Sequence, residues 1–371
     1  GIGAGVGSIF RAPLGGALFA TEVLYRDAEF EYEALIPAFI ASIVGYSVYC
    51  PLSGAGWGAI FTLPEAGFRF IDPRSLPLYF AMGPVLVLFG TLYVKLFYWT
   101  RDLFSPLRIP AMTKPAIGGL AVGLIALACP QILGMGYGYV QQAIDGNMTV
   151  KLMLLIAVGK IVATSLTVGT GGSGGVFAPS LVIGGMLGGA IGTQFHQWFP
   201  EIVPEPGAFV LVGMAGFFAG AGKVPISAML MVSEMTLGYG LIVPLMLVVA
   251  VCFLLAGERV TIYEKQVGRR VDSPAHLGDF IIDILETIHV RDAFRRDSKV
   301  PMINENMPLE EVLHITAETT YSCYPVINDD GEMIGVIFLD DLRSAFFEPE
   351  IFPLVIAADV AVSDFPLIYL Q

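Results

Sequence analysis

The sequence has little charge and few of the side chains that metal centres and disulfide frameworks require. Only 14% of its 371 residues are charged, and it has four cysteines and four histidines. No two cysteines form a CxxC pair, and the histidines lack a ligand-like spacing, so we predict neither a metal site nor a disulfide framework. An initiator methionine and a recognisable signal peptide are also missing. Because Gly1 lies inside a glycine-rich phrase, we expect the chain to be cut at its front.

The chain is instead rich in apolar residues. Hydrophobic residues make up 55% of the sequence, and the mean hydropathy is +0.71, which is typical of an integral membrane protein. The net charge of −13 is unevenly distributed, because residues 1–275 contain 15 basic and 15 acidic residues, whereas 276–371 contain 5 and 18. The composition therefore predicts a neutral membrane body with an acidic soluble tail, and it argues against a nucleic-acid partner.

Apolar segments divide the body into stretches that could cross or enter a bilayer. Several are shorter than the ~20 residues that a straight span needs, and glycine and proline interrupt them, which predicts tilted or half-spanning helices. The composition changes at about Arg269, so we predict a membrane domain at 1–271 and a soluble domain at 272–371. The apolar segments are 12–25, 34–50, 78–99, 115–134, 152–168, 176–195, 207–220, 225–236 and 239–256.

An internal repeat relates two distant parts of the body. The chain reads APLGGALFATE around Pro13 and VPISAMLMVSE around Pro225. A glutamate follows each proline by nine positions, at Glu22 and Glu234, and a basic residue precedes each proline by two. Two related halves of a membrane protein are often inverted relative to one another. Because the glutamates occupy matching positions, we favour a shared structural role for Glu234, whereas for Glu22 a place on an inner proton or water path remains equally open.

The sequence from Gly169 to Gly189 has the most unusual backbone in the body. Five glycines lie among the seven residues from Gly169 to Gly175, between two apolar runs. Non-helical backbone is tolerated within a membrane only where protein buries it or where it lines a water-filled cavity. A helix starting near Val176 would point unpaired N–H groups and a positive dipole end at this loop, which suits an anion. Close helix packing by small residues is the alternative explanation of the glycines.

The acidic tail alternates helical and strand-like patterns. We predict a helix at 307–319, strands at 323–327 and 333–339 joined by a turn at Gly331, and a helix from Asp340. This is an α+β unit, and a second unit is expected to begin near Ile351.

Four phrases in this order resemble one known family. They are GSGGVFAPSLVIGGMLG at 172–188, APLGGALFATE, PISAMLMVSEMT at 225–236 and TIYEKQ at 261–266. They are similar to phrases of the CLC family of chloride channels and proton-coupled chloride transporters, and the tail resembles the first of the two CBS modules that many members carry. The resemblance implies an all-α multi-span membrane protein with inverted repeats plus a small α+β CBS module. It also implies a homodimer in a lipid bilayer that moves chloride and is not an enzyme.

The resemblance also implies roles for individual residues. Backbone N–H groups of the segment Gly175, Val176, Phe177 and Ala178, chiefly those of Val176 and Phe177, would bind the central anion, and Tyr263 would reach it with its hydroxyl. The phrases that carry the family's central serine and gating glutamate do not occur in this sequence. We expect both upstream of Gly1, where the repeat would put the first half's own glycine-rich loop.

Val23 bears on whether chloride movement is coupled to protons. Proton-coupled relatives often carry a second glutamate one residue after the position of Glu22, and valine cannot titrate. This favours a passive chloride channel, and a proton-coupled chloride antiporter is the alternative. Some transporters of the family manage without that carboxylate.

A third, remote function is a nucleotide-sensing protein whose membrane part is an anchor. In the CBS-like unit, Asp341 matches a position that often holds a nucleotide ribose. The residue three before it is Phe338 rather than the usual serine or threonine, which weakens the case for adenine nucleotide. No other cofactor is expected. Lys160 lies within an apolar segment, where it would either snorkel toward the membrane surface or raise the local potential for anions.

Overall fold

The computed structural model describes residues 1–54, 56–64, 67–258, 260–276, 300–340, 342 and 354–363. The chain divides into two compact units, Gly1–Gly278 and Asp279–Gln371.

The first unit is built from helices that coincide with the predicted apolar segments. Three of the described helical stretches are long and apolar enough to cross a membrane, at Tyr32–Leu52, Pro73–Phe104 and Val150–Gly169. Helices α1 and α6 were not predicted, because each is only eight residues long. The helices are α1 Ile2–Ile9, α2 Pro13–Glu22, α3 Leu35–Leu52, α4 Leu76–Phe104, α5 Thr113–Ala128, α6 Tyr137–Ile144, α7 Val150–Gly169, α8 Phe177–Trp198, α9 Gly207–Gly222, α10 Pro225–Thr236 and α11 Ile242–Ala256.

Helix α9 forms the centre of this unit. Every one of its residues is buried, as expected of a helix that is hydrophobic on all sides. Helix α8 lies closest to it, because glycines on α8 let the two backbones approach. A Cβ added at Gly188 would collide with the carbonyl oxygen of Phe209, and one added at Gly184 would collide with that of Gly213. The small-residue explanation therefore applies to the later glycines of the Gly169–Gly189 stretch.

The repeat appears in the structure as two helices that cap each other. The Glu22 carboxylate, at the end of α2, accepts hydrogen bonds from the N–H groups of Ile226 (3.0 Å) and Ser227 (2.8 Å) at the start of α10. Glu234, near the end of α10, accepts from the N–H groups of Leu14 (3.1 Å) and Gly15 (2.6 Å) at the start of α2. Each carboxylate binds the positive end of the other helix, so α2 and α10 run antiparallel.

The residues before the two prolines also match. Arg11 and Lys223 both adopt the left-handed conformation, with φ of 48° and 60°. Each ends the helix before the proline and turns the chain into the next helix, which starts with that proline as its first residue. Two matching turns between two matching helix pairs indicate that the two segments are structural repeats.

The second unit is a small mixed sheet covered by a helix. Strands β1 Ile303–Asn304, β2 Cys323–Ile327 and β3 Met333–Phe338 lie in the order β1-β2-β3, with β1 and β2 parallel and β2 and β3 antiparallel. Helix α12, Leu309–Glu318, buries Leu309 and Val312 against the sheet. The predicted helix, both strands and the turn at Gly331, which has φ of 79°, agree with the structure, whereas β1 was not predicted.

The described residues 354–363, which include helix α13 Ala357–Val360, differ from the expectation of a second unit. The Leu309 N–H donates to the Val355 carbonyl (3.0 Å), and the N–H of Ala357 donates to the Met307 carbonyl (2.9 Å). Val362 pairs with Val336 of β3 in an antiparallel bridge. These residues therefore complete the first module. The sequence pattern alone could not indicate that the chain turns back onto its own sheet.

Candidate anion-binding site

The glycine-rich loop ends where α8 begins. Val176 is the N-cap residue and Phe177 is the first residue of the helix, close to the predicted start. In the described part of the chain, the N–H groups of Val176, Phe177 and Ala178 have no hydrogen-bond acceptor. A Cβ added at Gly175 would meet nothing within 4 Å, so the last residue of the loop is not closely packed on that side. This helix start can accept an external anion.

The starts of α2, α10 and α8 differ in how their backbone N–H groups are satisfied. At α2 and α10, tethered carboxylates of Glu234 and Glu22 bind the first amides. At α8 no carboxylate of the described residues takes that position. Carboxylates of the protein thus bind the first N–H groups of α2 and α10. The first N–H groups of α8, which follows the glycine-rich loop, have no such partner among the described residues.

Aromatic rings connect the start of α8 to the segment after α11. The Phe177 ring lies 4.3 Å from that of Phe10, 4.5 Å from that of Phe218 and 5.6 Å from that of Phe19, centroid to centroid. The ring of Phe19 lies 6.4 Å from that of Tyr263. Sequence reasoning did not single out Phe10, Phe19 or Phe218, although Phe19 lies within the first repeat phrase.

Phe177 and Tyr263 line one cavity of about 790 Å³. The hydroxyl of Tyr263 has no hydrogen-bond partner among the described residues, so it is available as a donor to a ligand. The structure therefore places Phe177 and Tyr263 on one cavity, and Val176 is not among the residues that line it. Other side chains that line this cavity, called the Tyr263 cavity below, include Phe10, Phe19, Val23, Tyr25, Glu31, Tyr98, Arg101, Glu264 and Lys265.

Gln266 holds the Tyr263 segment in place. Its side-chain amide donates to the carbonyls of Val23 (3.0 Å) and Gly222 (2.9 Å), and its oxygen accepts from the Thr261 hydroxyl (2.5 Å). The Val23 and Gly222 carbonyls follow α2 and end α9, so Gln266 satisfies carbonyls that those helices leave unpaired. We did not predict this role, although Gln266 is the last residue of the TIYEKQ phrase.

The two residues proposed for a proton or water path have different positions. Val23 lines the Tyr263 cavity. Glu22 is fully buried, and its carboxylate is occupied by Ile226 and by both the N–H and the hydroxyl of Ser227. The structure thus favours the structural interpretation of Glu22, with the same role as Glu234.

Lys160 does not snorkel toward the membrane surface, and its predicted effect on the potential for anions stays a prediction. It is buried, and its ammonium donates to the carbonyls of Ile132 (3.0 Å) and Gly134. These carbonyls follow the end of α5, so the lysine fixes a loop instead of snorkelling. Asp341, the candidate nucleotide residue, lies outside the described residues. Within the described ranges, no cluster of three or more His, Cys, Asp or Glu side chains could hold a metal.

Comparison with known proteins gives a family and several relatives. Residues 1–257 match the sequence model described as "Voltage gated chloride channel", and residues 290–348 match that of the CBS domain. The "H(+)/Cl(-) exchange transporter ClcA" of Vibrio campbellii is 30% identical over 269 residues, which is 70% of this chain and 56% of the relative. The protein of the same name from Vibrio cholerae is 32% identical over 252 residues, which is 67% of this chain and 53% of the relative.

A solved structure gives a similar result. The crystal structure of "a slow cyanobacterial Cl-/H+ antiporter" is similar to this chain with a TM-score of 0.62 at 25% identity, over 70% of this chain and 61% of that one. The chain spans little more than half the length of the two Vibrio relatives. The family match covers more than half of the chain and includes the repeat phrases and the glycine-rich loop. The chain therefore belongs to the voltage-gated chloride channel family, with a CBS domain after the membrane unit.

Proposed function

We propose that this protein exchanges chloride for protons across a membrane. The observation that carries the proposal is the start of α8, where the N–H groups of Val176 and Phe177 have no acceptor among the described residues and Phe177 lines a cavity that Tyr263 also lines. Relatives that are 30% and 32% identical are named as H(+)/Cl(−) exchange transporters, which supports exchange over the passive channel that Val23 favoured.

The chemistry of the site suits a small, weakly held anion. Amides and a phenol replace the water that chloride loses, and the aromatic rings around Phe177 exclude bulk solvent from its surroundings. None of these ligands carries a full positive charge, so binding is weak enough for the ion to leave. We extend the proposal to a homodimer with one pore in each subunit, as the family resemblance implies.

Uphill transport distinguishes exchange from passive flow. The full-length protein is reconstituted into vesicles that contain high chloride and are diluted into low chloride. We expect chloride efflux to drive protons inward against their gradient, measured with a pH electrode while valinomycin and potassium set the voltage. Chloride efflux without proton uptake would favour the passive channel instead.

Tyr263→Phe tests the anion ligand. Losing one hydrogen bond to a charged acceptor costs ~1.5–3 kcal/mol, so we expect chloride to bind at least about tenfold more weakly. Isothermal titration calorimetry of the detergent-solubilised protein with chloride measures the change. Tyr139→Phe is the matched control, because Tyr139 is a partly buried tyrosine that does not line the cavity. The chloride affinity of this variant should equal that of the wild-type protein. Equal affinities in all three proteins would exclude the hydroxyl as a ligand.

A further inference from the structure

A proton-coupled mechanism needs a titratable group on the Tyr263 cavity, and Val23 cannot supply it. This inference therefore rests on the proposed exchange function. Two carboxylates line the cavity, Glu31 and Glu264. They differ in exposure, since 15% of the Glu31 side chain is exposed compared with 54% for Glu264. They also differ in their partners.

Glu264 is bound to a permanent charge. Its carboxylate lies 2.6 Å from an Arg101 guanidinium nitrogen, and arginine stays protonated at all physiological pH values. Glu264 is therefore a suitable control for a carboxylate that lines the same cavity.

Glu31 is bound to titratable groups. Its Oε2 accepts from the Tyr25 hydroxyl at 2.6 Å and lies 2.7 Å from Nε2 of His276. Its Oε1 is buried and has no hydrogen-bond partner in the described part of the chain, although Arg270 Nε lies 3.7 Å away. A buried carboxylate oxygen left without a donor is costly, and a proton or a water molecule would satisfy it.

Among the described residues, Nε2 of His276 has alternative partners in Glu31 and Arg270. A protonated Nε2 donates to Glu31 Oε2 at 2.7 Å. An unprotonated Nε2 can instead accept from Arg270 Nε, which lies 3.4 Å away. Both states of the imidazole thus have a partner in one geometry, which lets the proton leave and return without rearrangement. Histidine is also the side chain whose ordinary pKa lies nearest to physiological pH.

The charge balance decides which member of the pair holds the proton. Burial alone would raise the pKa of the Glu31 carboxyl. Hydrogen bonds from Tyr25 and His276 and the charges of His276 and Arg270 outweigh burial and lower that pKa below its ordinary value. Glu31 is therefore the anion that stabilises an imidazolium. The other charged and titratable side chains of the two segments that meet here are Arg26, Asp27, Glu29, Tyr32, Glu33, Arg269 and Asp272.

We propose that the His276–Glu31 pair is the proton-exchange group of the Tyr263 cavity and takes the role that a carboxylate at position 23 would have. The proton leaves His276 Nε2, passes to Glu31 Oε2 and from there to water in the cavity, which becomes hydronium. Neutral His276 then takes a proton from the solution. Glu31 contacts the cavity directly, whereas His276 acts through Glu31.

The test compares Glu31→Gln and His276→Asn with Glu264→Gln in reconstituted vesicles. A positioned proton-transfer group contributes ~100-fold or more to rate, so we expect proton flux to fall at least tenfold in the first two variants while chloride flux persists. Glu264→Gln should keep the wild-type ratio of protons to chloride. Glu31→Asp, which restores a carboxylate, should recover part of the proton flux. The pH dependence of proton flux should flatten in His276→Asn, which a purely structural role would not produce.

The outcomes separate this inference from the function on which it rests. Wild-type protein that couples protons to chloride, together with unchanged coupling in Glu31→Gln and His276→Asn, would overturn the inference and leave exchange intact. Wild-type protein without uphill proton movement would overturn both. Gel filtration and residual chloride flux establish that each variant is folded, and His276→Asn decides alone if Glu31→Gln yields no protein.

Discussion

Gly188→Val is expected to prevent the membrane unit from reaching its native packing. The new side chain would collide with the carbonyl oxygen of Phe209, and its Cβ would lie 3.0 Å from Cα of Gly213. Both obstacles are backbone of α9, which is buried on all sides and cannot move aside. Overpacking of a core costs ~1–3 kcal/mol, and a clash with rigid backbone should reach or exceed the upper end. The measurement is thermal unfolding of the detergent-solubilised protein, followed by size-exclusion chromatography.

Gly119→Ala is the matched control for this prediction. Gly119 is an exposed glycine in α5, and a Cβ there would meet nothing within 4 Å. Because alanine favours helix over glycine by ~1 kcal/mol, the control should be neutral or slightly stabilising. A Gly188→Val protein with the wild-type Tm would show that α8 and α9 are not as close as the structure has them.

Glu22→Ala is expected to destabilise the same unit strongly. It leaves the part-buried N–H group of Ile226 and the buried N–H group of Ser227 without their acceptor. Each unsatisfied buried donor costs ~1–3 kcal/mol, so the total should be about 3 kcal/mol or more. Glu22→Gln keeps an acceptor oxygen and the side-chain shape, and it should lose less.

Glu234→Ala gives the internal comparison. Glu234 makes the matching contacts, but its hydrogen bond from the Leu14 N–H is exposed, so water can replace the lost acceptor there, whereas the bonds that Glu22 accepts are part-buried and buried. The loss in Tm should therefore be smaller than for Glu22→Ala. The reverse ranking would contradict the description of Glu22 as the more deeply buried cap. Chloride binding that persists in both variants would agree with their structural role.

The repeat shows what could be predicted from sequence. The equal spacing from Pro13 to Glu22 and from Pro225 to Glu234 indicated a structural role for Glu234 and left the role of Glu22 open, and the structure gives both glutamates matching contacts. The spacing could not show that each glutamate caps the other helix, because a pattern along one chain does not identify partners in space. The start of α8 near Val176 was predictable for a local reason, since glycines end one apolar run and begin another.

Other features depended on long-range contacts and were missed. Lys160 was interpreted from the hydropathy of its own segment, whereas its partners, the Ile132 and Gly134 carbonyls, come from another segment. Glu31 and His276 are 245 residues apart and have no common motif. Val23 was considered alone, without the other titratable side chains of the cavity that it lines.

Reciprocal capping makes the two halves of the membrane unit mutually dependent. Glu22 belongs to one half and serves the other, and Glu234 does the opposite. Consider a chimera in which one half is replaced by the corresponding half of a distant relative. The new half would have to keep both the helix start whose N–H groups donate and the carboxylate that accepts from the other half. Divergence within each repeat is therefore constrained by its counterpart.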